Sequence, residues 1–430
     1  MKLYKEFFRY VIPSMFAFAL SGLYGIVDGF FLGNELGDGA LAAINVAYPM
    51  TAFLQAIGTG IGMGGAVQYT ILKASGKEEE KEKCLGLTLL LLGGAGAVLT
   101  PVFLLGNTFF LDLLGAEGEL LWLGREYLCW ISIGAIFQVL GTGMIPFMRN
   151  IGGAIIPMIG MVIGSILNII FDYVFVWVLP LGMKGAAIAS VMGQMGAFAI
   201  SGFFLWYKKE KICWKKASRE QLKKILFVGI SPFGLSFAPN VTLILVNLSA
   251  INYGGDLAVK AYAPISYIVY TIMMLLQGVS DGCQPLVSMF YGKGQNTEAR
   301  KVYRLSRNFS LLVGGICFVL LLLEGRRTVG IFGTSEEVTS YVLTILPYFL
   351  AGMFFSALSR PVISYYYATE KNKRAYFLIY GESIALFFFL AAIPVFMGIL
   401  GTWLSVMFSQ LFMAVVAQAM VERRRSHFAY

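Results

Sequence analysis

The sequence predicts an all-α membrane protein of about twelve transmembrane helices, arranged as two parallel six-helix bundles related by internal duplication, with a central cleft. Three observations predict it. The chain of 430 residues is 58% hydrophobic and 13% charged, with a mean hydropathy of +0.74, whereas soluble domains carry about 25% charged residues. A soluble fold has too little interior for so many apolar side chains, while lipid solvates them. Continuous apolar runs of about 20 residues recur throughout, each long enough to span as a helix. Lipid demands that backbone hydrogen bonds close within each segment, and the alternating stretches of a membrane barrel are missing. Finally, the second half of the chain repeats the first.

The spans are expected at residues 10–32, 41–72, 84–111, 121–147, 154–179, 186–207, 225–252, 261–290, 309–325, 338–366, 376–396 and 402–421, numbered 1 to 12 in this order. The first is too long for the apolar core of a signal peptide and lacks a cleavage site. Sorting the loops by charge orients the chain. Of the 33 Lys and Arg residues, 28 fall on the side that holds both termini and only Arg125, Lys184, Lys260, Arg326 and Arg327 fall on the other. Cytoplasmic loops collect Lys and Arg, so both termini are expected in the cytoplasm of a bacterial cell, with the protein multi-pass in the inner (plasma) membrane. The net charge of +9 has this topological origin and does not call for nucleic acid.

The basic stretch 208–224 separates an N-terminal bundle, 1–207, from a C-terminal bundle, 225–430. At an offset of 219, Pro13, Phe18, Ala19 and Val27 meet Pro232, Phe237, Ala238 and Val246. At 218, Ala40, Ala43, Gly60, Gly64, Gly76 and Lys83 meet Ala258, Ala261, Gly278, Gly282, Gly294 and Lys301. At 215, Ser190-Val191-Met192 meets Ser405-Val406-Met407. An even number of spans per half makes the repeats parallel, a pattern of secondary transporters.

Chemistry is narrowed by what is missing. The only histidine is His427 and the five cysteines are scattered without a CxxC pair. Histidine-based catalysis, zinc and a disulfide framework are therefore disfavoured, and no cofactor is expected. Charges inside spans are costly and point to function. Asp28 lies in span 1. Asn168 and Asp172 lie in span 5 at i and i+4, on one helix face. With the orientation above, Tyr127 of span 4 and Ser190 of span 6 reach a similar depth. Two carboxylates in a medium of low dielectric hold either a shared proton or a cation, and carboxylate, amide and hydroxyl oxygens suit a hard cation. The bland alternative is a polar network that only holds the bundle together. The second half has Asn247 where the first has Asp28, and no counterpart of Asp172. Pro13 either kinks span 1 or merely begins it. Glu382 is expected to snorkel, Asp281 to cap a helix or pair with Lys293, and Glu324 to sit beside Arg326 and Arg327 at the outer end of span 9.

Several motifs together resemble the multidrug and toxin extrusion (MATE) transporters, nearest the DinF-like and MepA-like bacterial branches. They are Pro13 ahead of Val27-Asp28-Gly29-Phe30-Phe31-Leu32-Gly33, Ala40-Leu41-Ala42-Ala43, Pro146 with Arg149-Asn150-Ile151-Gly152, Asn168 to Asp172, Gly185-Ala186-Ala187-Ile188-Ala189-Ser190, and Gly282-Cys283-Gln284-Pro285. The resemblance implies an antiporter, working as a monomer among membrane lipids, that expels organic cations in exchange for Na⁺ or H⁺. It implies a coupling-ion site at Asp28, Asn168, Asp172, Tyr127 and Ser190, the last replacing a family threonine, and bending of span 1 at Pro13. A lipid-linked saccharide flippase of the same superfamily is the nearest rival; such proteins need a basic cavity. A membrane enzyme lacks its histidine here, and a passive channel lacks its rings of charge.

Overall fold

The computed structural model describes residues 2–114, 116–214, 218–332 and 335–426; the side chains of residues 2, 21, 23–35, 37–39, 41–42, 45, 256 and 422–426 are not described. Among the described residues the secondary structure is wholly helical. Ten helices among the described residues are long and apolar enough to cross a membrane, or eleven when one bent pair counts as a single span. The remaining expected span, 10–32, is the first part of α1, which runs from Lys2 to Ala74 with Pro13 and Pro49 inside it. The chain is a multi-pass membrane protein, with side chains such as Leu105, Leu323 and Phe396 exposed as lipid-facing residues should be.

The helices begin and end where the local chemistry requires. Helix α2, Glu78–Leu113, opens on Glu78, Glu79 and Glu80, which complement the positive end of its dipole. The expected span 121–147 is two helices, α3 (Gly118–Ile133) and α4 (Ala135–Gly152), bent by 61°. The break falls at Gly134, where a Cβ would lie 2.2 Å from a methyl group of Val191; only a residue without a side chain fits. Helix α5, Ile155–Asp172, continues into a six-residue π-helix, π1, Tyr173–Val178. Helix α6 spans Gly182–Tyr207.

The two spans expected at 225–252 and 261–290 form one element, α7, Arg219–Gly292, interrupted only at Gly255 (φ 64°, ψ −160°). Only the short stretch 253–260, with Asp256 and Lys260, joins the two apolar runs, and Gly255 supplies the break between Arg219–Gly255 and Leu257–Gly292. Ser218 caps its start by accepting from the backbone N–H of Gln221 at 3.1 Å. Helices α8 (Asn296–Gly330), α9 (Glu336–Ala368), α10 (Asn372–Met397) and α11 (Ile399–Ser426) follow. Glu324 of α8 pairs with Arg327 at 2.9 Å and Arg326 pairs with Glu336.

Two compact units are distinguished. One comprises Phe8–Phe237 with Ser288–Gly294, the other Ala238–Val287 with Gln295–Tyr430 and the N-terminal Met1–Phe7. The first is here termed the N-unit and the second the C-unit. Within the N-unit, α1 and α4 approach through glycine: a Cβ on Gly62 would lie 2.0 Å from the carbonyl oxygen of Gly143. Small residues that let helix backbones meet closely are the usual adhesive where lipid removes the hydrophobic drive between helices.

Candidate coupling-ion site

The site is built on α5 and α6 of the N-unit. These helices are antiparallel and glycine brings them together. A Cβ on Gly193 of α6 would stand 2.8 Å from the carbonyl oxygen of Gly164 and 3.0 Å from the Cβ of Asn168, both on α5. One on Gly164 would stand 3.5 Å from Ala197, and one on Gly185 2.7 Å from the carbonyl oxygen of Phe175 in π1. This register places Asp172 opposite Ala189 and Ser190. The i, i+4 spacing of Asn168 and Asp172 therefore presents an amide and a carboxylate toward α6, where Asn168 meets Gly193.

Both α5 side chains are withdrawn from solvent and lipid: Asn168 is 2% and Asp172 1% exposed. Neither the Nδ2 nor the Oδ1 atom of Asn168 has a hydrogen-bond partner among the described residues. A buried amide without partners costs about 1–3 kcal/mol, so its geometry calls for a further hydrogen-bonding group beyond the described side chains. Asp172 is also the last α-helical residue before π1; π segments occur preferentially at functional sites. Nothing in the sequence announced the π segment, whose residues Tyr173 to Val178 are β-branched and aromatic side chains that continue the apolar run of α5.

The remaining expected residues are placed as follows. Tyr127 is buried on α3 at 6% exposure, two turns before the Gly134 break that receives Val191. Ser190 is half-buried on α6, and Pro13 half-buried on α1. Asp28 lies on α1, and its side chain is outside the described residues. The Arg149-Asn150 motif closes α4. Arg149 is buried, with its guanidinium 5.5 Å from the Phe18 ring. Asn150 donates to the carbonyl of Pro146 at 2.8 Å and accepts from Thr70 of α1 at 2.5 Å.

A second polar cluster, in the C-unit, escaped the sequence reading. Asp281 of α7 accepts from Tyr367 Oη at 2.5 Å and from Gln277 Nε2 at 2.9 Å. The Gln277 Oε1 atom accepts from Arg360 Nη1 at 2.7 Å. Arg360 also interacts electrostatically with Glu382 of α10. Asp281 thus has Tyr367 of α9 and, one turn back on its own helix, Gln277 as partners. The two units differ in kind: Asp281 and Arg360 of the C-unit are joined through hydrogen bonds to Gln277 and Tyr367, whereas the N-unit offers a buried amide without hydrogen-bond partners among the described residues beside a buried carboxylate. Among the described residues, no group of three or more His, Cys, Asp or Glu is arranged to hold a metal.

A sequence model of the MatE family matches twice, at residues 13–174 and 233–393. The chain belongs to the MatE family. The double match coincides with the internal repeat and identifies a membrane transport protein, not an enzyme. Among curated relatives, the multidrug export protein MepA of Staphylococcus saprophyticus is 24% identical over 428 residues, covering 97% of this chain and 93% of the relative. Two solved structures share the fold. An outward-facing multidrug resistance MATE family transporter of the MOP superfamily has a TM-score of 0.92 at 21% identity, covering 98% of this chain and 96% of that one. A MOP superfamily transporter from Pyrococcus furiosus, described by a reversed polarity of its binding pocket that suggests a different function, has a TM-score of 0.92 at 20% identity, with 99% and 96% covered.

Proposed function

We propose that this MatE-family protein is a secondary active antiporter that exports amphiphilic organic cations in exchange for Na⁺ or H⁺ by alternating access. The observation that carries the proposal is the Asn168–Asp172 pair, buried on α5 against α6, with an amide that has no partner among the described residues. A hard cation takes oxygen ligands, and a proton on one of two neighbouring carboxylates achieves the same charge balance. MepA's name as a multidrug export protein supports the substrate class.

In this reading Asp28, Asn168, Asp172, Tyr127 and Ser190 bind the coupling ion in the outward state. Ion binding favours repacking of α1, with bending at Pro13, and the organic cation loses affinity and leaves. Release of the ion to the cytoplasm resets the protein. Coupling requires that ion and drug each bind the two states with different affinity. Both termini lie in the cytoplasm of a bacterial cell. The hydrogen bond from Arg360 to Gln277 and its electrostatic interaction with Glu382 and Asp281 engage this buried guanidinium, which supports the cationic substrate class over an anionic lipid-linked sugar.

The test is movement of a cationic dye in proteoliposomes under an imposed Na⁺ gradient and, separately, an imposed pH gradient. One of the two should drive it, and Asp28→Asn should abolish driven transport without loss of folding. Movement under neither gradient by folded, inserted protein rejects the proposal.

A further inference from the structure

We infer that the N-unit holds an anionic phospholipid in a crevice between α2, α4 and α6, at the basic segment 208–211. The inference rests on the membrane embedding of the chain and not on its transport cycle. The crevice encloses about 750 Å³, within the range of roughly 300–1,000 Å³ typical of ligand pockets. Its walls are apolar: Leu89 of α2, Met144 of α4, and Phe198 and Leu205 of α6. The chain leaving α6 crosses its end, contributing Lys209, Glu210 and Ile212. This strap is anchored to α2, because the Cys213 N–H donates to the Glu82 carbonyl at 3.3 Å and the Cys213 carbonyl lies against Gly86. Gly202, in the α6 wall, has no atom within 4 Å of where a Cβ would stand. The helix therefore faces open space there, where a packed interior would fill it.

Two features give this crevice a polar end of net positive charge. Segments 73–83 and 208–211 carry seven lysines against five glutamates; Lys77, Lys81 and Lys83 pair with Glu80, Glu78 and Glu79, which leaves Lys73, Lys208, Lys209 and Lys211 against Glu82 and Glu210. The one carboxylate lining the crevice, Glu210, already accepts from Tyr69 Oη at 2.8 Å, and Lys73 and Lys81 lie over that tyrosine ring at 5.8 and 5.7 Å. The negative end of the α6 dipole is closed too. The N–H of Lys209 donates to the Trp206 carbonyl at 3.0 Å and that of Glu210 to the Leu205 carbonyl at 3.2 Å, the double bond of a helix cap whose usual residue is glycine. Here the glycine position holds Lys209, at φ +52°. A lysine kept in a left-handed conformation that glycine adopts freely puts an ammonium group at the crevice mouth against local backbone preference.

The level in the membrane fits. Trp206, Tyr207 and Trp214 are exposed around the strap, and exposed Trp and Tyr gather at the lipid–water interface. An apolar slot for acyl chains below an interfacial belt, with lysines above it, is complementary to a phospholipid of net negative head group; basic pockets between helices recognise such lipids. A cationic amphiphile would need Glu210, which is engaged, and would meet the lysines.

Native mass spectrometry of the full chain tests this, with dioleoylphosphatidylglycerol and dioleoylphosphatidylcholine as probes. The wild type should retain the anionic lipid over the zwitterionic one by about fivefold or more, the worth of one interfacial lysine. Lys209→Gly, which suits the backbone better, should bring that preference close to parity. Gly202→Leu, which fills the open wall, should remove most bound lipid of either kind. Gly315→Leu, another glycine facing open space but in the C-unit, should change nothing. Equal retention of the two lipids by the wild type overturns the inference, as does unchanged retention in Gly202→Leu or in Lys209→Gly. Ethidium binding that Gly202→Leu abolishes, without phosphatidylglycerol binding, overturns it in favour of a cation held at Glu210.

Discussion

Replacing Gly193 with alanine tests how the coupling-ion site is positioned. The new Cβ would lie 2.8 Å from the carbonyl oxygen of Gly164 and 3.0 Å from the Cβ of Asn168. A backbone oxygen cannot rotate away as a side chain can, so α5 and α6 must separate by roughly 0.5 Å, an overpacking cost of about 1–3 kcal/mol. Alanine also gains about 1 kcal/mol of helix propensity over glycine. Gly94→Ala on α2, where a Cβ meets nothing within 4 Å, makes the same gain without the clash. The difference between the two variants therefore isolates the α5–α6 seam. Thermal unfolding in detergent, read as loss of the monodisperse peak on size exclusion, should place Gly193→Ala below Gly94→Ala by about 1–3 kcal/mol. Gradient-driven dye transport should fall in Gly193→Ala and stay intact in Gly94→Ala. Equal stability and equal transport in the two variants would refute the reasoning that this seam sets the geometry of Asn168 and Ser190.

Other outcomes follow from the C-unit cluster and the helix ends. Tyr367→Phe removes the 2.5 Å donor to buried Asp281 and should cost about 1.5–3 kcal/mol; because the two groups are coupled, the loss on adding Asp281→Asn should be less than additive, as a double-variant unfolding cycle will show. Arg360→Met leaves the buried Gln277 Oε1 without its charged donor; an orphaned buried acceptor costs about 1–3 kcal/mol, to be seen as a fall in folded yield. Glu370, at φ +55°, follows α9 in a cap where Lys371 N–H donates to the Tyr366 carbonyl at 2.8 Å. Glu370→Gly should raise stability by up to about 1 kcal/mol, whereas Gly76→Ala, at φ +74° in the matching cap after α1, should lower it.

Much of the fold was legible because lipid imposes one strong rule. Each apolar run must close its own hydrogen bonds, so the runs appear in the sequence as spans and the structure returns them as helices. Where runs are joined by only a short stretch the rule gives less. The Gly255 break within α7 and the 61° bend at Gly134 depend on one glycine each. Asn168 and Asp172 were readable, since polar residues four apart in an apolar stretch share a helix face. The C-unit cluster was not, because its members meet only in the folded chain: Gln277 and Arg360 are separated by 83 positions and Asp281 and Tyr367 by 86. Arg360 in particular reads in sequence as one more cytoplasmic charge. Its neighbours on α7 and α10 convert it into a buried partner of polar groups.

The central claim is that the Asp172 carboxylate couples ion movement to export. The most direct measurement compares wild-type protein with Asp172→Asn in proteoliposomes, following a cationic dye under an imposed Na⁺ or pH gradient and, in parallel, dye exchange with no gradient. The account predicts that Asp172→Asn loses gradient-driven accumulation and keeps downhill exchange, the signature of a folded carrier that no longer couples. Gradient-driven accumulation at the wild-type rate in Asp172→Asn would contradict it.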